Sequence, residues 1–187
     1  MKKVKLNNGR YALVDDLDYW RLKEWKWRAV ISGRTIYSNR NDRTGDNQKT
    51  ILMHRFILGL TDRNIHVDHI DGNGLNNQRS NLRPCTAAEN CMNKRPSKSS
   101  ISKYKGVRLN IAKGIYEAGI HTNTKFTLIG VYKTEIEAAL AYDAYVAIEH
   151  GEFAWLNFPK EKIQQKRHVF HKHIASPNIK PIKPTNQ

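Results

Sequence analysis

The sequence predicts an α+β fold in two parts: a strand–loop–strand–helix module, then a small three-stranded antiparallel sheet packed on one helix. Three observations predict it. Short runs rich in β-branched and aromatic residues alternate with turn residues. Two S/T-x-x-E capping boxes, Thr86 to Glu89 and Thr134 to Glu137, each open a helix. A basic stretch with Pro and Ser but no apolar periodicity, KRPSKSSISK at 94–103, separates the two sets and has the composition of an exposed linker. The 187 residues suffice for one ordinary domain or two small ones. The linker divides them into 1–93, 104–159 and a basic tail, 160–187, in which Pro177, Pro181 and Pro184 break any continuous helix.

In chain order, RYALVD (10–15), WRAVI (27–31) and RTIYSNRN (34–41) read as strands, with Gly33 and Gly45 as turn formers and DLDYWRLKEW as a short helix. Trp20, Trp25, Trp27 and Tyr37 interleave with Arg21, Lys26, Arg28 and Arg40, either as core aromatics or as a face that grips nucleic acid. ILMHRFILGL (51–60) has helix-forming residues, with Gly59 as its stop. Its Arg55 counts among the cations expected to meet a polyanion. A lone histidine in an apolar helix, His54, reads first as a structural residue, with contact to a catalytic centre as the alternative.

The stretch from Val67 to Lys94, VDHIDGNGLNNQRSNLRPCTAAENCMNK, carries the chemistry. A strand bears Asp68 and His69, and a Gly- and Asn-rich turn spans Asp71 to Ser80. A return strand covers Asn81 to Arg83, and a helix runs from Thr86 to about Arg95, with Asn90 one turn inside it. Neighbouring strand residues point to opposite faces, so Asp68 and His69 share one site only if the strand is twisted or bulged there. Beyond the linker, YKGVRL, IYEAGI and FTLIGVY read as strands. The helix that follows places Ile136, Ala139, Leu140, Val146 and Ala147 close to one face and ends at Gly151.

A net charge of +15 with no long apolar run describes a soluble protein whose partner is a polyanion, nucleic acid first. The sequence has neither a basic amphipathic helix nor a lipidation signal for a membrane surface, and no signal-peptide core, so a cytoplasmic location is expected. Cys85 and Cys91 are too few for a paired-CxxC zinc site and are expected as free thiols. The charge is uneven. Residues 1–93 carry 16 Lys and Arg against 10 Asp and Glu, 94–103 carry 4 against 0, 104–159 carry 5 against 6, and 160–187 carry 7 against 1.

The D-H, N-L-R and E-N elements of 67–94 resemble the HNH endonuclease module, and most closely its phage and intron-encoded homing variant. That resemblance implies a ββα-metal fold, with Asp68 and Asn90 as metal ligands, His69 as the general base and Asn81 as the central Asn supporting it. Asn81 either orients His69 or only stabilises the turn; Arg83 either meets a phosphate near the cut or is simply exposed; Asn93 is a weaker candidate on the same helix. The chemistry asks for these types. An imidazole with a pKa near about 6.5 takes a proton from water at neutral pH, and one Mg²⁺ or Mn²⁺ on oxygen ligands stabilises the phosphorane and the leaving 3′-oxygen.

The second module resembles the Apetala-two/ethylene-response-factor DNA-binding domain through SKYKGVR (102–108), Ala118 to Ile120, AYD (141–143) and LNFP (156–159). The resemblance implies a sheet face in the major groove, with Arg108 as a DNA contact and Tyr116 where the family often has Trp. Glu117 and Gly119 depart from the basic residues usual there. Lys94, Arg95, Lys98 and Lys103 of the linker are expected on the phosphate backbone. The reading is a metal-dependent endonuclease that recognises a duplex DNA site and nicks or cuts it, leaving 5′-phosphate and 3′-hydroxyl ends, as a monomer or homodimer. The alternatives are a non-cleaving DNA-binding regulator with the same fold and an RNA-binding protein.

Overall fold

Gly33, with a φ of 60° that other residues rarely take, turns the chain directly from one strand into the next. It joins β3 (Arg28–Ser32) to β4 (Thr35–Asp42), and β5 (Lys49–Leu52) completes an antiparallel meander in the order β3-β4-β5. The computed structural model describes residues 1–44, 48–96, 100–122 and 125–159. The chain divides into two compact units, Met1–Arg95 and a second that begins at Pro96.

The first unit opens with a hairpin of β1 (Lys2–Lys5) and β2 (Tyr11–Val14), followed by α1 (Asp16–Leu22). After the meander come α2 (Met53–Leu58), a second hairpin of β6 (His66–His69) and β7 (Leu82–Cys85), and α3 (Ala87–Met92). Val14, Leu22, Met53 and Ile57 are fully buried at its centre, so the two hairpins and both early helices share one core. The structure departs from the sequence reading in three places. Strand β1 was not expected, because three lysines hide its alternation, yet Val4 is buried. Ile51 and Leu52 close the sheet against Arg40 and Asn39 instead of starting a helix. Helix α3 keeps the Thr86 capping box but stops at Met92, where Asn93 caps it and turns its side chain inward.

In the second unit β8 (Val107–Asn110), β9 (Ile115–Thr122) and β10 (Lys125–Tyr132) form an antiparallel sheet in the order β10-β9-β8, packed on α4 (Glu135–Glu149). The buried face of α4 is Ala138, Ala139, Tyr142 and Val146. Ile136, placed on that face by spacing alone, is half exposed, because the small alanines bring the sheet close one residue further round. Gly106, at φ 74°, lies against the Tyr142 ring, where any β-carbon would collide.

Asp143, fully buried on α4, closes the unit. Its carboxylate accepts the backbone N–H groups of Asn157 and Phe158, each at 2.9 Å, and the Asn157 amide at 2.9 Å. Burial pushes its pKa up to about 6, against these three donors. Asp143→Ala strands two buried N–H groups and is expected to cost the second unit about 3 kcal/mol, read as an earlier thermal unfolding transition.

Candidate active site

The turn between β6 and β7 is held from both sides. Asn81 Oδ1 accepts the Asp71 N–H at 3.0 Å, while its Nδ2 donates to Asp71 Oδ1 at 2.9 Å and to the Asn76 carbonyl at 2.8 Å. Leu13 in β2 donates to the Leu75 carbonyl and accepts from the Asn77 N–H, both at 2.8 Å. Gly74 lets the turn lie against β4, since a β-carbon would stand 2.5 Å from the Ile36 carbonyl oxygen. Arg79 grips Asp18 of α1 through two bonds, 2.8 and 2.9 Å, and Arg21 adds a third at 2.6 Å. Burial pushes the Asp18 carboxyl up, but the two guanidinium groups outweigh it and hold its pKa below the usual range. The loop is thus anchored to α1, β2 and β4.

Strand β6 pairs with β7 in regular register, Asp68 opposite Arg83 and His69 opposite Leu82. With no bulge, the two side chains leave opposite faces. Asp68, nearly buried, takes Arg83 Nη2 at 2.6 Å and Nε at 2.9 Å on Oδ2, and Asn93 Nδ2 lies 3.0 Å from both of its oxygens. The same amide reaches the His69 carbonyl at 3.1 Å, so Asn93 ties the two residues together through the strand end.

His69 faces the other way. Its ring lies 5.1 Å from that of His54 at an interplanar angle of 85°, and 5.7 Å from Tyr37. Among the described residues its Nε2 is buried without a hydrogen-bond partner, and so is Nδ1 of His54. Burial lowers the pKa of His69, opposed by the Asn77 side chain and by the charges of Asp71 and Asp68. Burial drives His54 to about 3, helped by His69 and Arg55, so His54 is neutral throughout the physiological range.

A cavity of about 340 Å³ opens beside His54, between the β3-β4-β5 sheet and α3, and Asn90 lines it. Asn90 therefore faces this cavity, whereas Asn93 is the helix amide bonded to Asp68. Arg55 Nη1 and Nη2 bond the carbonyls of Ile65, Asp62 and Leu60, so this cation is engaged in shaping the loop before β6.

A family profile described as HNH endonuclease matches residues 52–92, from the end of β5 through α3. The chain is also 36% identical over 152 residues to a protein of Acanthamoeba polyphaga mimivirus described as an uncharacterized HNH endonuclease, a match covering 78% of this chain and 74% of the viral one. The chain belongs to the HNH endonuclease family. No solved structure matches it significantly. As an HNH endonuclease it is a phosphodiester hydrolase, and the family implies DNA as substrate and a divalent metal as the usual cofactor. No helix among the described residues is long and apolar enough to cross a membrane.

The HNH segment brings together residues that sequence reasoning set aside. His54 shares the His69 pocket, Asn77 is the amide beside His69, and Asn93 rather than Asn90 meets Asp68. Asn93 carried a signal, three residues beyond Asn90 on one helix. Asn77 carried none, because its placement depends on Leu13 more than sixty residues away. Of the cations expected on DNA, Arg83 is paired with Asp68, Lys94 Nζ lies 3.3 Å from Cys91 Sγ, and Lys103 sits over the Tyr104 ring. Arg95 is exposed at the end of the unit, and Lys98 lies outside the described residues, as does the tail. In the second unit Arg108 pairs with Glu117 and stacks 3.9 Å over Phe126 on the sheet face away from α4. Tyr116 alternates to the other face and packs with the core, so it is not on that open surface.

Proposed function

We propose that this HNH endonuclease is a site-recognising, metal-dependent enzyme that hydrolyses one phosphodiester of duplex DNA per site, leaving 5′-phosphate and 3′-hydroxyl ends. One observation carries the reading: a buried imidazole, His69, with an unpartnered Nε2 and a lowered pKa, follows Asp68 on the first strand of the segment matched to the family. An imidazole kept neutral by burial can accept a proton at neutral pH, and the unpartnered Nε2 is the atom that water has to reach.

Asp68 supplies a carboxylate and Asn90 an amide oxygen, donor types that suit Mg²⁺ or Mn²⁺ better than zinc. The structure engages them separately: Asp68 is held by Arg83 and Asn93, whereas Asn90 lines the cavity, and no group of three or more His, Cys, Asp or Glu among the described residues could hold a metal. Asp68 and Asn90 would hold one ion, with water and DNA phosphate as its other ligands, only once Arg83 gives up Asp68. A bound divalent ion supplies positive charge for the phosphorane and the leaving oxygen. His69 takes the proton of the attacking water, with Asn77 beside its ring and His54 packed on it, and Asn81 keeps the turn that follows it in shape.

The second unit is proposed to choose the site, as an Apetala-two/ethylene-response-factor-like module. Its three-stranded sheet on one helix supports this, with Arg108, Asn110 and His121 on the face away from α4. Purified protein incubated with supercoiled plasmid and Mg²⁺ or Mn²⁺ tests the function. Nicked circles are expected from a monomer and linear DNA from a paired enzyme, and a chelator should abolish both. Intact supercoils under every metal condition would refute the assignment.

A further inference from the structure

We propose that Arg83 is a latch on the metal site: in the free enzyme its guanidinium occupies the Asp68 carboxylate, and a backbone phosphate of the DNA must draw it off before Asp68 can take an ion. The inference rests on the reading of Asp68 as a metal ligand and adds what controls that ligand. Antiparallel pairing sets Arg83 directly opposite Asp68, so the two side chains leave the same face of the β6–β7 hairpin. Nη2 at 2.6 Å and Nε at 2.9 Å both close on Oδ2. The pair is nearly out of water, with side chains 11% and 6% exposed.

Such a pair blocks an ion twice. A carboxylate offers about four lone-pair sites, and Arg83 and Asn93 together place three donor contacts on Oδ2. A guanidinium on the carboxylate also cancels the negative charge that a divalent ion needs, and repels the ion itself. Breaking a nearly buried pair without replacing it leaves a charge unpaired, so water alone does not release Arg83. A phosphate does, because its oxygens match the same two-bonded fork. The exchange leaves every charge partnered, Arg83 on phosphate and Asp68 on the ion. The Asn93 amide is bonded to both Asp68 oxygens and to the His69 carbonyl, so it keeps the carboxylate in place as Arg83 leaves. DNA and metal therefore strengthen each other's binding, and Arg83 carries part of that coupling.

The test reads metal binding directly, as loss of the free Mn²⁺ electron paramagnetic resonance signal on titration into full-length protein without DNA. Arg83→Gln should bind Mn²⁺ about tenfold more tightly than wild type, within the usual range of coupling between sites, and adding Asp68→Asn should remove the gain. Arg83→Lys keeps a cation opposite Asp68 but not the fork; it should show a smaller gain and decides the matter if Arg83→Gln does not fold. Arg63→Gln, which removes an exposed cation lining the cavity, should leave Mn²⁺ affinity as in wild type, separating the latch from lost charge alone. In a cleavage-poor His69→Ala background, Mn²⁺ should tighten binding of a short labelled duplex, and Arg83→Gln should shrink that effect. Mn²⁺ binding by Arg83→Gln and Arg83→Lys no tighter than wild type would overturn the latch, and a loss of Mn²⁺ binding in Asp68→Asn would then leave the metal reading standing. Asp68→Asn without effect on Mn²⁺ binding, with and without DNA, would overturn the metal reading and the latch with it.

Discussion

Replacing His69 with alanine is expected to slow strand scission by roughly two to four orders of magnitude, the usual worth of a positioned general base, with DNA affinity little changed. The imidazole is buried behind Tyr37 and His54 and acts on water, so it adds nothing to holding the duplex. The pH profile supplies an independent check. Burial lowers the pKa of His69, so the base stays neutral below its ordinary value, and the rate should fall only as pH drops through that lowered value. A rate that instead halves at or above about 6.5 would show that His69 is not the group being titrated. His69→Ala cleaving at near wild-type rate would remove it from the mechanism.

What could be read from sequence and what could not divide along physical lines. Both capping boxes were legible, because Thr86 with Glu89 and Thr134 with Glu137 are local reciprocal bonds, and both form. The strand–turn–strand–helix order of 66–92 was legible for the same reason. The facing of Asp68 and His69 was not, since it depends on whether the ladder bulges, and here the register is regular. Nor was the neighbourhood of His69. Its partners come from β4, α2 and the turn, elements up to about thirty residues apart in sequence that meet only through packing. Tyr116 shows the limit of resemblance. Resemblance named it a DNA contact at a position where the family often has Trp, while the two-residue period sets it with Ala118 and Ile120 against α4.

Attraction to DNA should be divided unequally between the two units. Residues 104–159 carry 5 Lys and Arg against 6 Asp and Glu, and one of those cations, Arg108, is already paired with Glu117. Residues 1–93 and the stretch 94–103 together hold a clear positive excess. Each unit has its own buried core, so each can be assayed alone. The logarithm of affinity falls with the logarithm of salt in proportion to the phosphates neutralised. Full-length protein should therefore lose about 10³-fold or more in affinity between roughly 50 and 200 mM salt, as expected for about six or more contacts. A chain ending at Arg95 should keep much of that slope and still bind DNA, with poorer choice of site. Residues 96–159 alone should bind weakly with a shallow slope, because Arg108 contributes to DNA only by exchanging Glu117 for a phosphate, which nearly cancels in charge. Tight, steeply salt-dependent and non-selective binding by that second unit alone would show that the phosphate contacts lie on its sheet, and that the basic first unit is drawn to something other than the DNA backbone.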